Sequence, residues 1–182
     1  MSSSNQTAKA RFAALLDRDG VLNIDLGYTH KPEDLEFTPG ATRAVRRLNE
    51  AGRLVIVLTN QAGVARGLYD EAAVHRFHLA MGEAMTRQGG RIDAFYYCPY
   101  HPDATVEAYR HPNHPDRKPN PGMIHQALND FDVAPAHAFL IGDRQSDLDA
   151  AERAGVRGYL FKEGDLDDFV RGVLRAEDGS PR

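Results

Sequence analysis

Leu54-Val55-Ile56-Val57-Leu58 carries no polar residue and then breaks abruptly into Thr59-Asn60-Gln61. A strand with one wet face would alternate polar and apolar side chains. A wholly apolar, β-branched run instead reads as a strand covered on both faces, the signature of a parallel sheet flanked by helices. The rest of the chain keeps that rhythm. Strand-like runs fall at 12–17, 94–97, 138–141 and 158–161, and amphipathic stretches lie between them. Ala41, Ala44, Val45 and Leu48 share one helical face, with Gly52 placed to end it. Asp70 can cap a helix bearing Val74, Phe77, Met81 and Met85. Asn120-Pro121 opens a helix with Ile124, Ala127, Leu128 and Phe131, a short helix spans 146–154, and a last one carries Leu166, Phe169, Val170, Val173 and Leu174. The expected fold is therefore α/β: a doubly wound, mostly parallel sheet of Rossmann-like type with helices on both faces and no large cap domain.

The expected organisation is a disordered lead-in at 1–10, one domain over 11–175 and a disordered tail from Ala176 to Arg182. At 182 residues, 42% hydrophobic and 26% charged, a single core is the natural outcome. A net charge of -4 gives no footprint for nucleic acid, and no apolar stretch reaches the ~20 residues of a membrane span. One cysteine, Cys98, rules out an internal disulfide, and the polar start is no signal peptide. These features favour a cytoplasmic protein. No long exposed apolar stripe remains, so a monomer is expected.

Open α/β sheets bind ligands beyond the carboxyl ends of their strands. Four polar punctuation marks sit at such ends or in the long loop before a helix: Asp17-Arg18-Asp19-Gly20, Thr59-Asn60-Gln61, Arg117-Lys118-Pro119 and Gly142-Asp143. Singly, each is an ordinary turn or cap. Together they would bring carboxylates, a hydroxyl and an ammonium to one edge. That set suits phosphoryl transfer, with Asp17 attacking phosphorus and Asp19 handling the proton. Asp17, Asp19 and Asp143 offer hard oxygens for Mg²⁺. Thr59 and Lys118 can hold the phosphoryl oxygens.

Asp17 to Asn23, Gly27-Tyr28, Thr59 to Gly67, Arg117 to Met123 and the Gly142-Asp143-x-x-x-Asp147 pattern resemble the haloacid dehalogenase superfamily. The closer likeness, from Leu15 to Phe161, is to its heptose-1,7-bisphosphate 7-phosphatase family. That resemblance implies Mg²⁺-dependent hydrolysis of a 7-phosphate through an aspartyl-phosphate, in heptose biosynthesis for lipopolysaccharide or related glycans. It further implies substrate contacts at Asp25, Leu26, Gly27, Tyr28, Asn60, Gln61, Ala62, Arg117 and Arg144. Arg117 would recognise the sugar or its second phosphate. Histidinol phosphate, or another small phosphomonoester, is the competing substrate. A phosphorylatable receiver shares the Asp, Thr and Lys, but its phospho-accepting Asp ends the third strand, where this chain has Tyr97-Cys98. An inactive scaffold would have lost a motif residue, and none is lost.

The Pro- and His-rich segment 98–117 carries Cys98, His101, His111 and His114. Four N and S donors would close a tetrahedral zinc site. The resembling family holds zinc here with a different spacing and two more cysteines, so Asp116 is a substitute candidate. The expected role is to fix Arg117 and Lys118. The competing expectation is a metal-free loop stiffened by three His-Pro pairs. His75 and His78 are expected on a helix surface, His137 in a loop, and His30 near the substrate.

Overall fold

The computed structural model describes residues 10–179. Five parallel strands form one sheet: β1 (Phe12–Leu16), β2 (Arg53–Asn60), β3 (Ala94–Cys98), β4 (Ala138–Gly142) and β5 (Arg157–Leu160), in the order β3-β2-β1-β4-β5. The helices are α1 (Ala41–Glu50), α2 (Ala62–Ala65), α3 (Glu71–Arg87), α4 (Gly122–Asp130), α5 (Gln145–Arg153) and α6 (Leu166–Asp178). Three-residue 3₁₀ turns lie at Pro32–Asp34, Glu107–Tyr109 and Pro135–His137.

Side-chain alternation along the central strands divides the core in two. Ala14, Leu16, Val55, Val57, Phe139 and Ile141 face one side, where α1, α3 and α6 cover them. Ala13, Leu15, Ile56, Leu58 and Leu140 face the other, under α4 and α5. This explains why β2 carries no polar residue from Leu54 to Leu58: both of its faces are covered there. Asp70 caps α3 as expected, its Oδ1 accepting the Ala73 N–H at 2.8 Å. Two expectations shift. The final helix runs through Asp178, past the expected start of a tail at Ala176, because its N-terminus is capped by Asp165 and its apolar face packs on α1. The short α2 was not expected; its four residues offer too little periodicity to read. Positions 1–9 and 180–182 lie outside the described residues, so most of the expected lead-in and tail does too.

After β3 the chain returns across β1 to lay down β4 on its far side. The strand order therefore reverses beside β1. The Asp17 N–H donates to the Ile141 carbonyl at 2.9 Å, which fixes the residue just past β1 against the end of β4. The crevice at that reversal is where this fold class binds ligands.

Candidate active site

Asp17 follows β1, Thr59 is the second-last residue of β2, and Asp143 follows β4, so all three reach the crevice through strand register alone. Lys118 comes from the long loop and is wholly buried. Its ammonium has three donors and finds three acceptors: the Leu58 carbonyl at 2.8 Å, Asp17 Oδ1 at 2.9 Å and Asp147 Oδ1 at 2.6 Å. Burial pulls its acidity one way, but the two carboxylates win and hold its pKa above the ordinary lysine value. The loop is positioned by Asn60. That amide donates to the Lys118 carbonyl at 2.9 Å and accepts the Lys118 N–H at 3.1 Å, tying the end of β2 to the lysine's backbone.

Asp17, Asp143 and Asp147 bring carboxylate oxygens within 4.8 Å of one another. One lysine cannot balance three carboxylates. The Asp17 pKa is raised to about 7, chiefly by burial, with Lys118 opposing and Asp147 adding to the rise. Asp143 is raised for the same leading reason, and its Oδ1 is buried with no hydrogen-bond partner. A surplus of buried negative charge and an orphaned carboxylate oxygen fit a hard divalent cation, which would draw these groups back to their ionised forms. Gly20 has φ +84°, and a Cβ there would lie 2.5 Å from Asp143 Oδ2, so the glycine of Asp-x-Asp-Gly is required by the acid cluster.

The expected Mg²⁺ set is Asp17, Asp19 and Asp143, with Asp19 taking part through nearby backbone, and the side-chain cluster is consistent with that. The Asp19 side chain is not in the cluster, and Asp147 is. Arg18 grips Asp19 with a fork, its Nη2 reaching both carboxylate oxygens at 3.0 and 2.9 Å. Asn23 Nδ2 and Gln61 Nε2 donate to the same carboxylate from further along the chain. With Arg18 Nε, five contacts hold this carboxylate, and it stands outside the cluster of Asp17, Asp143 and Asp147.

The crevice opens into a cavity of ≈ 520 Å³. Asp19, Thr59, Asn60, Gln61 and Ala62 line it, as do Asp25, Gly27, Tyr28, Arg117 and Arg144. Leu26 does not: its side chain is 60% exposed outside the cavity, while its N–H donates to Thr29 Oγ1. Asn60 and Gln61 line the wall but spend their amides on protein. Gln61 donates to Thr59 Oγ1 at 2.8 Å and accepts from Tyr69. Arg66 and His101 line the cavity as well. The Arg66 guanidinium lies 6.0 Å from the Tyr28 ring centroid, and among the described residues it has no carboxylate partner. Burial lowers the Arg117 pKa, and the nearby cations Arg66 and Arg144 add to that, so this wall is rich in positive charge. Arg66 is given no site role by the sequence; its signal there is its place in the Thr59–Gly67 run, and it follows α2 directly.

The zinc expectation meets a different geometry. Among the described residues, no three donors from Cys98, His101, His111, His114 and Asp116 converge. Cys98 Sγ and His114 Nδ1 lie 3.8 Å apart. The reason is local. His101-Pro102-Asp103, His111-Pro112-Asn113 and His114-Pro115-Asp116 repeat one device. In each, the imidazole Nδ1 accepts the backbone N–H two residues on, at 3.0, 3.2 and 3.2 Å. Those nitrogens stitch turns. Burial pushes the Cys98 thiol up to about 11. The loop is stiffened instead by Tyr100, stacked on His114 at 4.0 Å, and by Arg117 Nη1 donating to the Tyr100 carbonyl. Glu71, on the first turn of α3, takes the hydroxyls of Tyr97 and Tyr109.

Comparison with known proteins agrees with this geometry. Residues 116–170 match the HAD-hydrolase-like family model. A D-glycero-beta-D-manno-heptose-1,7-bisphosphate 7-phosphatase of Rhodopseudomonas palustris is 44% identical over 168 residues, covering 92% of this chain and 93% of that one. The chain belongs to the heptose-bisphosphate phosphatase family of the haloacid dehalogenase superfamily. A D,D-heptose 1,7-bisphosphate phosphatase from B. bronchiseptica, solved with magnesium and phosphate, superposes with a TM-score of 0.77 at 32% identity, covering 91% of this chain and 99% of that one. A HAD-like phosphatase from Mesorhizobium loti gives a TM-score of 0.84 at 31% identity, covering 92% and 86%. As a member of this family the chain is a phosphatase. The B. bronchiseptica protein's magnesium matches in kind the hard-oxygen cluster of Asp17, Asp143 and Asp147.

Proposed function

We propose that the protein hydrolyses the 7-phosphate of D-glycero-D-manno-heptose 1,7-bisphosphate. The observation that carries this is the pairing, in one cavity, of a buried Asp17-Lys118-Asp147 floor with a wall of guanidinium groups. The floor suits one phosphoryl group in reaction. Arg66 and Arg117, which have no carboxylate partner among the described residues, suit a second phosphate that does not react. A monophosphate such as histidinol phosphate would leave that wall unused.

Asp17 attacks phosphorus, and the bond from phosphorus to the sugar oxygen breaks. Asp19, protonated at the start, gives its proton to that oxygen, so the sugar leaves as an alcohol. Asp19, now a carboxylate, takes a proton from the water that attacks the aspartyl-phosphate. Asp17 and orthophosphate are regenerated. Thr59 holds a phosphoryl oxygen; Lys118 keeps Asp17 in line and reaches the phosphoryl group by exchanging one of its three present acceptors for it. Asp17, Asp143 and the Asp19 backbone would hold Mg²⁺, with Asp147 beside them; when bound, it offsets repulsion between nucleophile and phosphate.

Asp25, Gly27, Tyr28, Ala62 and Arg144 shape the sugar's pocket. Arg144 is itself oriented by Asp25, at 3.2 Å. The segment 98–117 serves as a metal-free support for Arg117 and Lys118 in this reading. We place the reaction in the cytoplasm, in heptose supply for lipopolysaccharide or related glycans. No helix among the described residues is long and apolar enough to cross a membrane. Exposed large apolar side chains are few, Leu68 and Leu79 among them, which is compatible with a monomer.

The test is kcat/KM for heptose 1β,7-bisphosphate, the anomer in the R. palustris relative's name, against the α anomer and histidinol phosphate. A bisphosphate should lead by at least about tenfold, the usual minimum for one charge-assisted recognition element. Equal or faster turnover of histidinol phosphate would remove the proposal.

A further inference from the structure

Arg18 is the residue between the two catalytic carboxylates, and it is completely buried. A guanidinium has five N–H donors and cannot shed its charge, so its burial demands an explanation. Each of its nitrogens is engaged. Nε and Nη2 grip Asp19. Nη2 also donates to the Thr29 carbonyl at 2.6 Å. Nη1 points away from the cavity and meets His78 Nε2 at 3.3 Å. The flat face of the group lies 4.5 Å from the Phe77 ring centroid.

His78 was expected on the surface of α3. It is buried instead, stacked on Phe95 at 4.5 Å and set edge-on to Tyr97. An arginine can only donate, so Nε2 must accept, and the ring's proton sits on Nδ1. Only a neutral imidazole can do this.

We propose that His78 and Arg18 are positioning residues for Asp19. The imidazole holds the outer end of the guanidinium, and the inner end presents the Asp19 carboxylate to the leaving oxygen. The chain of contact is His78, Arg18, Asp19, spanning α3 to the loop after β1. It rests on the reading of Asp19 as the proton donor. It also accounts for a charged residue at the centre of Asp-Arg-Asp: a neutral side chain there could not fork the carboxylate through Nε and Nη2, and without His78 the outer Nη1 would be left unpaired in the core.

The test compares phosphoryl transfer to the Mg²⁺-loaded enzyme from two donors in single turnover. Transfer from heptose 1β,7-bisphosphate releases a sugar oxygen that needs a proton to leave as an alcohol. Transfer from p-nitrophenyl phosphate releases p-nitrophenolate, a stable anion that does not. Asp19→Ala serves as the reference, and should slow transfer from the sugar far more than from the aryl ester. His78→Phe keeps the stack on Phe95 and removes the acceptor. It should slow transfer from the sugar about tenfold and from the aryl ester by no more than about threefold, with KM little changed, as expected for a displaced general acid. His78→Gln, whose amide oxygen can accept from Arg18, should recover most of the loss. Equal slowing of both donors by His78→Phe while Asp19→Ala shows the bias, or no slowing at all, would overturn the positioning role and leave the Asp19 assignment standing. An unbiased Asp19→Ala would overturn both. Thermal melts of each variant separate these outcomes from failure to fold.

Discussion

Two regions of this chain carry clusters of metal-type ligands, and they behave in opposite ways. Asp17, Asp143 and Asp147 come from separate elements and converge on one buried point. Cys98, His101, His111 and His114 are close in sequence and do not converge. Sheet topology makes the difference. Parallel strands that end at one edge deliver their next residues to a common crevice regardless of separation in sequence. A loop offers no such convergence, and each of its histidines is taken up by the N–H two residues on. Ligand identity alone therefore says little; what holds the donor's other atoms says more.

The largest expected effect breaks the acid side of that comparison. Asp17→Asn removes the nucleophile with almost no change in shape, so turnover should fall at least about 10³-fold while the melting temperature holds or rises. Residual activity above a few percent would mean another group attacks. Lys118→Met should come next. It leaves Asp17 and Asp147 facing each other in a dry site, so activity should drop about 10²–10³-fold and stability by about 3 kcal/mol, read from urea melts. Chelation by EDTA should stop turnover, and added Mg²⁺ should restore it, with little shift in the loop's tryptic sensitivity. Zinc content near zero by elemental analysis would sharpen the contrast, and one bound zinc per chain would erase it.

A smaller effect concerns pH. Burial, helped by Arg18, pushes the His78 pKa down to about 3. The folded protein therefore stays unprotonated there, while the unfolded chain takes up a proton below the ordinary histidine value of ~6.5. Stability lost to this group grows as pH falls from that value towards about 3, reaching about 2 kcal/mol at pH 5. His78→Phe should lose less stability than wild type between pH 7 and 5, measured by urea melts. Parallel losses would mean the imidazole is protonated in the fold.

Much of this molecule was legible before its coordinates. The central strands β1, β2 and β4 announced themselves as apolar blocks because both faces of the sheet are covered there. Asp17 and Thr59 were visible because strand ends punctuate those blocks, and Lys118 because Arg-Lys-Pro closes the long loop before α4. What stayed hidden were pairings across long stretches of chain. Nothing local says that Asn60 spends both ends of its amide on Lys118, 58 residues away. Nothing local says that Asp147, inside the first turn of α5, is the lysine's second carboxylate. A Cβ on Gly142 would fall 2.2 Å from the Asp147 Cβ, so that glycine was the clue to the close approach. His78 reads as a surface residue because it is polar and has no spaced ligand partner, yet it stands four residues after Val74 and three before Met81, on the buried face of α3. Its burial comes from β3 and from Arg18.

The most direct test of the account is ³¹P NMR of heptose 1β,7-bisphosphate during turnover with Mg²⁺. The account predicts that the 7-phosphate resonance gives way to orthophosphate while the anomeric 1-phosphate persists. Loss of the 1-phosphate first, or no change under conditions where histidinol phosphate is consumed, would contradict it.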